Sequence, residues 1–277
     1  MGQIGSARDA GEPRHTGLGR LLPASARSRV DAVRNARRQL CPDADTLSVG
    51  QMTRQLYSRF VTRGALCFDV GANWGIRTRV LHELGARVVA VEPQGVLARL
   101  LHDAYVLTPR VKVVQAALGA REGEAEMRIA TVDALSSLSN DWIDAVSASG
   151  RFAEMSWERS ELVQVTTLDR LILRYGTPRF VKIDVEGYEC EVLQGLSSAV
   201  PYLSFEFTPE YGGGAFASID RLSGLGVGWF NYSVGLSMRL ALTRWVRAAE
   251  AKETMARLFA DDPGAFGDVY AAADRRP

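Results

Sequence analysis

Five short apolar runs mark the middle of the chain: Ala65–Val70, Arg87–Glu92, Val111–Ala116, Phe180–Asp184 and Leu203–Phe207. Their inner positions are mostly valine, isoleucine, leucine, phenylalanine and alanine with little polar alternation, the pattern of strands buried on both faces. Helix-length stretches separate them at 75–85, 94–104, 166–175 and 188–198. Short apolar strands alternating with helices predict a doubly wound α/β domain, a mostly parallel sheet with helices on both faces. Right-handed crossovers leave few topologies for it.

Outside this rhythm the pattern is less regular. Met52, Leu56, Tyr57 and Phe60 recur at helical spacing and predict a helix over about 50–62. Glu124–Ala130 reads as an extra strand. The Ser-rich stretch 133–160, with Trp142 and Trp157, is an insertion between the third and fourth runs. Ordered insertions of that length are commonly binding loops or lids, so it is expected to be an acceptor loop or lid that governs acceptor choice. Beyond it, Gly212-Gly213-Gly214 reads as a flexible hinge, followed by strands near 227–233 and 267–273 with a helix near 246–259 between them.

Charge changes the picture only at the N-terminal end. The formal net charge is +1, yet residues 1–40 hold eight arginines against Asp9, Glu12 and Asp31. With Gly2, Gly5, Gly11, Pro13, Gly17, Gly19 and Pro23 nearby, residues 1–45 are expected to be a flexible basic extension, with a thin basic helix over 26–40, and residues 46–277 a single domain. A nearly neutral whole predicts no nucleic-acid partner. No run approaches the roughly 20 apolar residues of a membrane span, and no apolar segment follows the first arginines as in a secretory signal. Asp9 and Glu12 interrupt any transit-peptide pattern. The cysteines Cys41, Cys67 and Cys190 are odd in number and far apart, which argues against a disulfide framework or a zinc site and for a reducing, cytoplasmic setting.

The most informative segment is Asp69-Val70-Gly71-Ala72-Asn73-Trp74-Gly75. It lies between a predicted strand and a predicted helix, where small residues permit a sharp turn and helix N–H groups are expected to face a ligand. A dinucleotide turn would read G-x-G-x-x-G. Here the spacing is D-x-G-x-x-x-G, with Asn73 at the middle glycine's place, which disfavours a nicotinamide cofactor. It suits a cofactor with an ammonium and a carboxylate and no phosphate. Asp69 can meet the ammonium, and the backbone at Gly71, Ala72, Asn73 and Gly75 the methionine chain. Thr78 is placed for a contact from the helix. Glu92, followed by Pro93, ends the next run, where a carboxylate can accept both ribose hydroxyl hydrogens.

The segments CFDVGANWGIRT (67–78), VVAVEP (88–93), VVQAALGAREGEAEM (113–127), VTTLDRLI (165–172), FVKIDVEGYECEVLQG (180–195) and LSFEF (203–207) resemble, in order, those of class I methyltransferases of the FkbM family. The resemblance spans most of residues 65–210. It implies a Rossmann-like sheet of seven strands whose last runs antiparallel, here Gly267-Asp268-Val269-Tyr270-Ala271. It also implies methyl transfer from S-adenosylmethionine to a hydroxyl of a small molecule, natural product or glycan.

Ligands of open α/β sheets sit beyond the carboxyl ends of the strands. Asp184 and Glu186 lie at one such end and Glu206 at the next, so these three are the candidate catalytic residues, as general base or as orienting charges. A divalent cation could join them, although no metal site is predicted. Lys182 is expected to pair with a nearby carboxylate. His82 and His102 fall on predicted helices away from the strand ends, Cys190 reads as a small buried residue, and Trp74 could pack on the cofactor or in the core. The chain reads Asp184-Val185-Glu186-Gly187 after its fourth core run. The Asn/Asp-Pro-Pro-Tyr/Phe segment of enzymes that methylate exocyclic nitrogen is not there. The alternatives are an N-methyltransferase, a cofactor-binding scaffold without turnover and, disfavoured by the glycine spacing, an oxidoreductase.

Overall fold

A computed structural model describes residues 44–274. The expected basic tail and the helix over 26–40 lie outside the described residues. Helix α1 (Ala44–Tyr57) precedes strand β1 (Leu66–Val70), α2 (Ile76–Glu83), β2 (Arg87–Val91), α3 (Gly95–Tyr105) and β3 (Val111–Val114). After the insertion come α5 (Leu168–Tyr175), β7 (Phe180–Ile183), α6 (Glu189–Gln194), β8 (Tyr202–Phe207), α7 (Gly212–Gly224), β9 (Trp229–Val234), α8 (Ala248–Asp261) and β10 (Gly267–Ala272).

Seven strands form one sheet in the order β3-β2-β1-β7-β8-β10-β9. β10 runs antiparallel to both of its neighbours and the other pairs are parallel. The parallel strands have apolar residues on both faces because helices cover both. Along β1, Leu66, Phe68 and Val70 pack with α5, α6 and α7, while Cys67 packs on the opposite face with Leu56, Tyr57 and Phe60 of the α1 region and Val80 and Leu81 of α2. There Phe60 stacks between Phe180 and Tyr270, with ring centroids 5.6 Å from each. Each such aromatic pair adds about 0.5–1.5 kcal/mol beyond its buried area.

The insertion folds on itself. β4 (Ala117–Leu118), β5 (Gly123–Ile129) and β6 (Arg159–Thr166) make a second sheet in the order β4-β6-β5. Between β5 and β6 lies α4 (Asn140–Ser149), which buries Trp142 edge-on against Trp157. The sequence pattern predicts β5 but not β6. Only Val163 of β6 is fully buried, and its antiparallel partner β5 is itself largely exposed.

The expected hinge at Gly212–Gly214 is instead the first turn of α7. A Cβ on Gly212 would lie 2.8 Å from the Phe259 ring, and one on Gly214 2.4 Å from Tyr211. These glycines serve close packing of rings against a helix. No helix among the described residues is long and apolar enough to cross a membrane.

Candidate functional site

At the carboxyl ends of β1, β2, β7 and β8 lies a cavity of about 210 Å³. One end is walled by Gly71, Asn73, Glu92, Pro93 and Gln94, the other by Asp184, Glu186 and Glu206. Ala116 to Leu118 and Met127 line its side, and Asp133, Ala134, Ser136 and Leu138 close it from the insertion.

The turn after β1 is tightly determined. Gly71 has φ +77, and a Cβ there would meet the Asp184 carbonyl oxygen at 1.8 Å. Gly75, the N-cap of α2, has φ +73, and its missing Cβ makes room for Leu101. Asn73 holds a left-handed φ of 46, a region asparagine visits more readily than other side-chain-bearing residues because its short polar side chain bonds locally, here to the Trp74 N–H. Both glycines are thus fixed by packing between protein segments.

The amides of the turn that leads into α2 are engaged within the chain. Gly71 and Ala72 N–H donate to the Val91 carbonyl, Gly75 N–H to that of Ala72, and Trp74 N–H to Asn73 Oδ1. Asn73 N–H donates to Glu92 Oε2 at 2.7 Å, and Gln94 N–H to Glu92 Oε1 at 2.8 Å. Glu92 is therefore anchored by one amide on each oxygen, leaving each a lone pair for a ligand. Burial pushes its carboxyl up to about 7 against those two bonds, which favour the charge.

Asp69 does not line the cavity. It lies buried beneath the turn, where the Thr78 hydroxyl donates to its Oδ2 at 2.5 Å, while its Oδ1 has no hydrogen-bond partner. Burial raises its carboxyl to about 6. Thr78, Ala72 and Gly75 likewise stand behind the cavity wall, and Trp74 is exposed at the rim.

The other end is acidic. One carboxylate oxygen each from Asp184, Glu186 and Glu206 lies within 4.8 Å of the others. Lys182, fully buried, reaches Asp184 Oδ2 at 3.0 Å and Asp268 Oδ1 at 2.7 Å, and donates to its neighbour's carbonyl, that of Ile183, at 3.1 Å. All three ammonium hydrogens thus have partners. The carboxylates of Glu186 and Glu206 have no hydrogen-bond partner among the described residues. Burial first, then each other's charge and that of Asp184, push both well above the usual carboxylate range. At that spacing the charge on one opposes ionisation of the other, so the two titrate as a pair.

Glu186 holds φ +52 and Gly187 φ +85. The insertion locks this pair: Ser137 Oγ donates to the Glu186 carbonyl at 2.6 Å. A Cβ on Gly187 would sit 2.3 Å from Trp142, whose Nε1 donates to Thr208 Oγ1 at 3.2 Å. Glu189 Oε1 accepts the Val185 and Gly187 amides. Strain held this firmly is typical of functional turns.

Sequence reasoning missed Gln94, which joins Glu92 to the Asp133 carbonyl through its own side chain, and it missed Asp268. The signal for Asp268 was present: an acid inside an otherwise apolar strand must have a buried partner. His102 is exposed beside Asp103, His82 packs edge-on to Tyr105, and Cys190 is only half-buried.

Residues 69–223 match the methyltransferase FkbM domain. No curated protein matches the sequence. Among solved structures, a precorrin-6Y C5,15-methyltransferase of Geobacter metallireducens is 10% identical, with a TM-score of 0.41 over 80% of this chain and 87% of that one. A TehB-like SAM-dependent methyltransferase of Corynebacterium glutamicum is 11% identical, with a TM-score of 0.39 over 91% and 100%. A putative O-methyltransferase of Klebsiella pneumoniae is 9% identical, with a TM-score of 0.38 over 92% and 93%. Likeness this distant transfers no acceptor.

Proposed function

Because the chain belongs to the FkbM methyltransferase family, we propose that it transfers a methyl group from S-adenosyl-L-methionine to a hydroxyl of a small molecule or glycan. One observation carries this reading: a single cavity joins an amide-anchored acid, Glu92, to three clustered carboxylates. The first suits a ribose diol and the second a cation. When bound, S-adenosylmethionine supplies an electrophilic methyl on a positively charged sulfur.

The residues fit that group in charge and in hydrogen-bond acceptors. Glu92 has a lone pair on each oxygen for a ribose hydroxyl, and Pro93, Leu118 and Met127 offer apolar walls beside it. The cavity is smaller than the roughly 300–1,000 Å³ of pockets that enclose a drug-sized ligand, so it would enclose only part of the cofactor. Asp69 acts from beneath by holding the turn through Thr78. The acidic end favours a sulfonium and orients the acceptor. The Glu186–Glu206 pair is placed to take the proton of an acceptor hydroxyl, and S-adenosylmethionine, if bound there, would supply the methyl group and leave as the neutral thioether. Asp184, committed to Lys182, stays a fixed negative charge. Positioning and electrostatics of this kind can supply much of the catalysis of a displacement.

The lining of the cavity by Asp133, Ala134, Ser136 and Leu138 supports a role for this part of the insertion in holding the cofactor. The remainder, 140–160, is the part expected to choose the acceptor. The test is calorimetric titration with S-adenosylhomocysteine, followed by methyl transfer to a panel of alcohols, sugars, amines and amides. Micromolar binding with transfer to hydroxyls is the expected result. Faster transfer to an amine or amide than to any alcohol overturns the hydroxyl assignment, and binding without any transfer favours a scaffold.

A further inference from the structure

Asp268 stands on β10, outside the segment that matches the family, yet its carboxylate is within the electrostatic reach of the site. Its Oδ1 lies 2.7 Å from Lys182 Nζ and its Oδ2 accepts the Tyr270 hydroxyl at 3.3 Å. Register explains the meeting. Lys182 pairs with Ser204 on β8, Ser204 with Tyr270 on β10, and Glu206 with Asp268. All of these side chains share one face of the sheet, since paired residues point the same way. A buried ammonium costs several kcal/mol unless its partners compensate it, and here two carboxylates from different strands do so.

We infer that Lys182 and Asp268 are positioning residues of the methyl-transfer site: Asp268 fixes the Lys182 ammonium, and that ammonium fixes Asp184 at the cavity wall and sets the charge of the carboxylate cluster. The inference deepens the proposed function and rests on it. The positive charge of Lys182 favours the ionised form of the Glu186–Glu206 pair, and the opposite charge of Asp268 tempers that effect. Other groups act on the same place. Tyr57 of α1 faces Lys182, together with Asp184, Asp268 and Glu206. Asp69 of β1 and Arg77 of α2 lie beside them. The pair itself is faced by Asp184, Glu189, Lys182 and, for Glu186, Arg151. Of all these, Lys182 is the buried cation bonded to the cluster.

The two residues therefore make opposite predictions. Lys182→Met removes a positive charge, so the pair ionises at higher pH. Asp268→Asn keeps the size of the side chain and removes a negative charge, so the pair ionises at lower pH. Ionisation of the pair is readable without knowing the acceptor. The sulfonium of S-adenosylmethionine gains affinity as the cluster becomes negative, and the neutral sulfur of S-adenosylhomocysteine does not.

The experiment is calorimetric titration of the full chain with both compounds from pH 5 to 9, for wild type, Lys182→Met and Asp268→Asn. The ratio of the two affinities should rise with pH in the wild type. Its midpoint should move up by about one pH unit in Lys182→Met and down by a similar amount in Asp268→Asn, as expected for one charge within several ångströms. A purely structural role would weaken both compounds alike and leave the midpoints in place, and that result overturns the inference. Each variant carries its own sign, so one that fails to fold leaves the other decisive. A wild type that binds neither compound sinks the methyltransferase reading itself, whereas binding with unmoved midpoints sinks only the inference.

Discussion

The two ends of the cavity hold their acids in different ways. At the Glu92 end the carboxylate is tied by amides 19 and 2 residues away, Asn73 and Gln94. At the Asp184 end charge is balanced by side chains from separate strands, with Lys182 and Asp268 lying 86 residues apart. The first arrangement needs only one strand–turn–helix unit and the strand beside it. The second exists only once β7, β8 and β10 are side by side. An acid anchored by backbone amides can thus be written locally, whereas a balanced charge cluster depends on the whole sheet.

The sharpest way to separate the ends is Glu206→Gln. Loss of the proton acceptor should lower kcat by about 100- to 10,000-fold while S-adenosylhomocysteine affinity stays within a few fold, a split visible in turnover and calorimetry on the same preparation. If cofactor affinity fell as far as turnover, the two ends would not be distinct. Gly187→Ala comes next. It would place a Cβ against Trp142 at a left-handed φ, and overpacking with backbone strain should cost about 2–4 kcal/mol in urea unfolding. A loss under 0.5 kcal/mol would mean that the insertion does not brace the Glu186 turn.

At the other end, Glu92→Ala should weaken cofactor binding. Each charge-assisted hydrogen bond lost is worth about 1.5–3 kcal/mol, roughly tenfold or more in Kd. An unchanged Kd would remove Glu92 from the cofactor site.

The smallest effect is on stability with pH. Burial raises Glu92 to about 7, Asp69 to about 6 and Glu189 to about 7. The folded chain therefore binds protons that the unfolded chain has already released between about pH 4 and 7. The stabilisation from these groups is complete below their unfolded values and is lost as pH rises through the folded ones. The melting temperature of the cofactor-free protein should fall across that window, and fall less in Glu92→Gln. A flat profile would mean that these carboxyls are not held in their neutral form.

What could be read from the sequence follows the same divide. The strand–turn–helix around Gly71, the acid ending β2 and the cluster at Asp184 and Glu186 are contiguous segments, so residue type and spacing were enough to find them. β6 escaped because a strand exposed on most of its length carries little hydrophobic signal. The triple glycine misled because its meaning lies in the rings of Phe259 and Tyr211, both outside it. The turn's amides were expected to be open to a ligand, and only the fold reveals that Val91, Ala72, Glu92 and the Asn73 side chain already engage them. Asp268 could be recognised as an oddity in its strand, but its partner depended on the order of strands across the sheet.

That order also bears on synthesis. β10 enters between β8 and β9, two strands that precede it in the chain. While residues up to Asp261 are emerging from the ribosome, β8 and β9 have no partner between them and the ammonium of Lys182 has only one of its two carboxylates. The Glu92 end, by contrast, is already encoded in the first strands to appear. A nascent chain therefore forms the turn that anchors Glu92 before it balances the charges at the Asp184 end, so a truncation just short of Gly267 should lose that balance along with the pairing of β8 to β10.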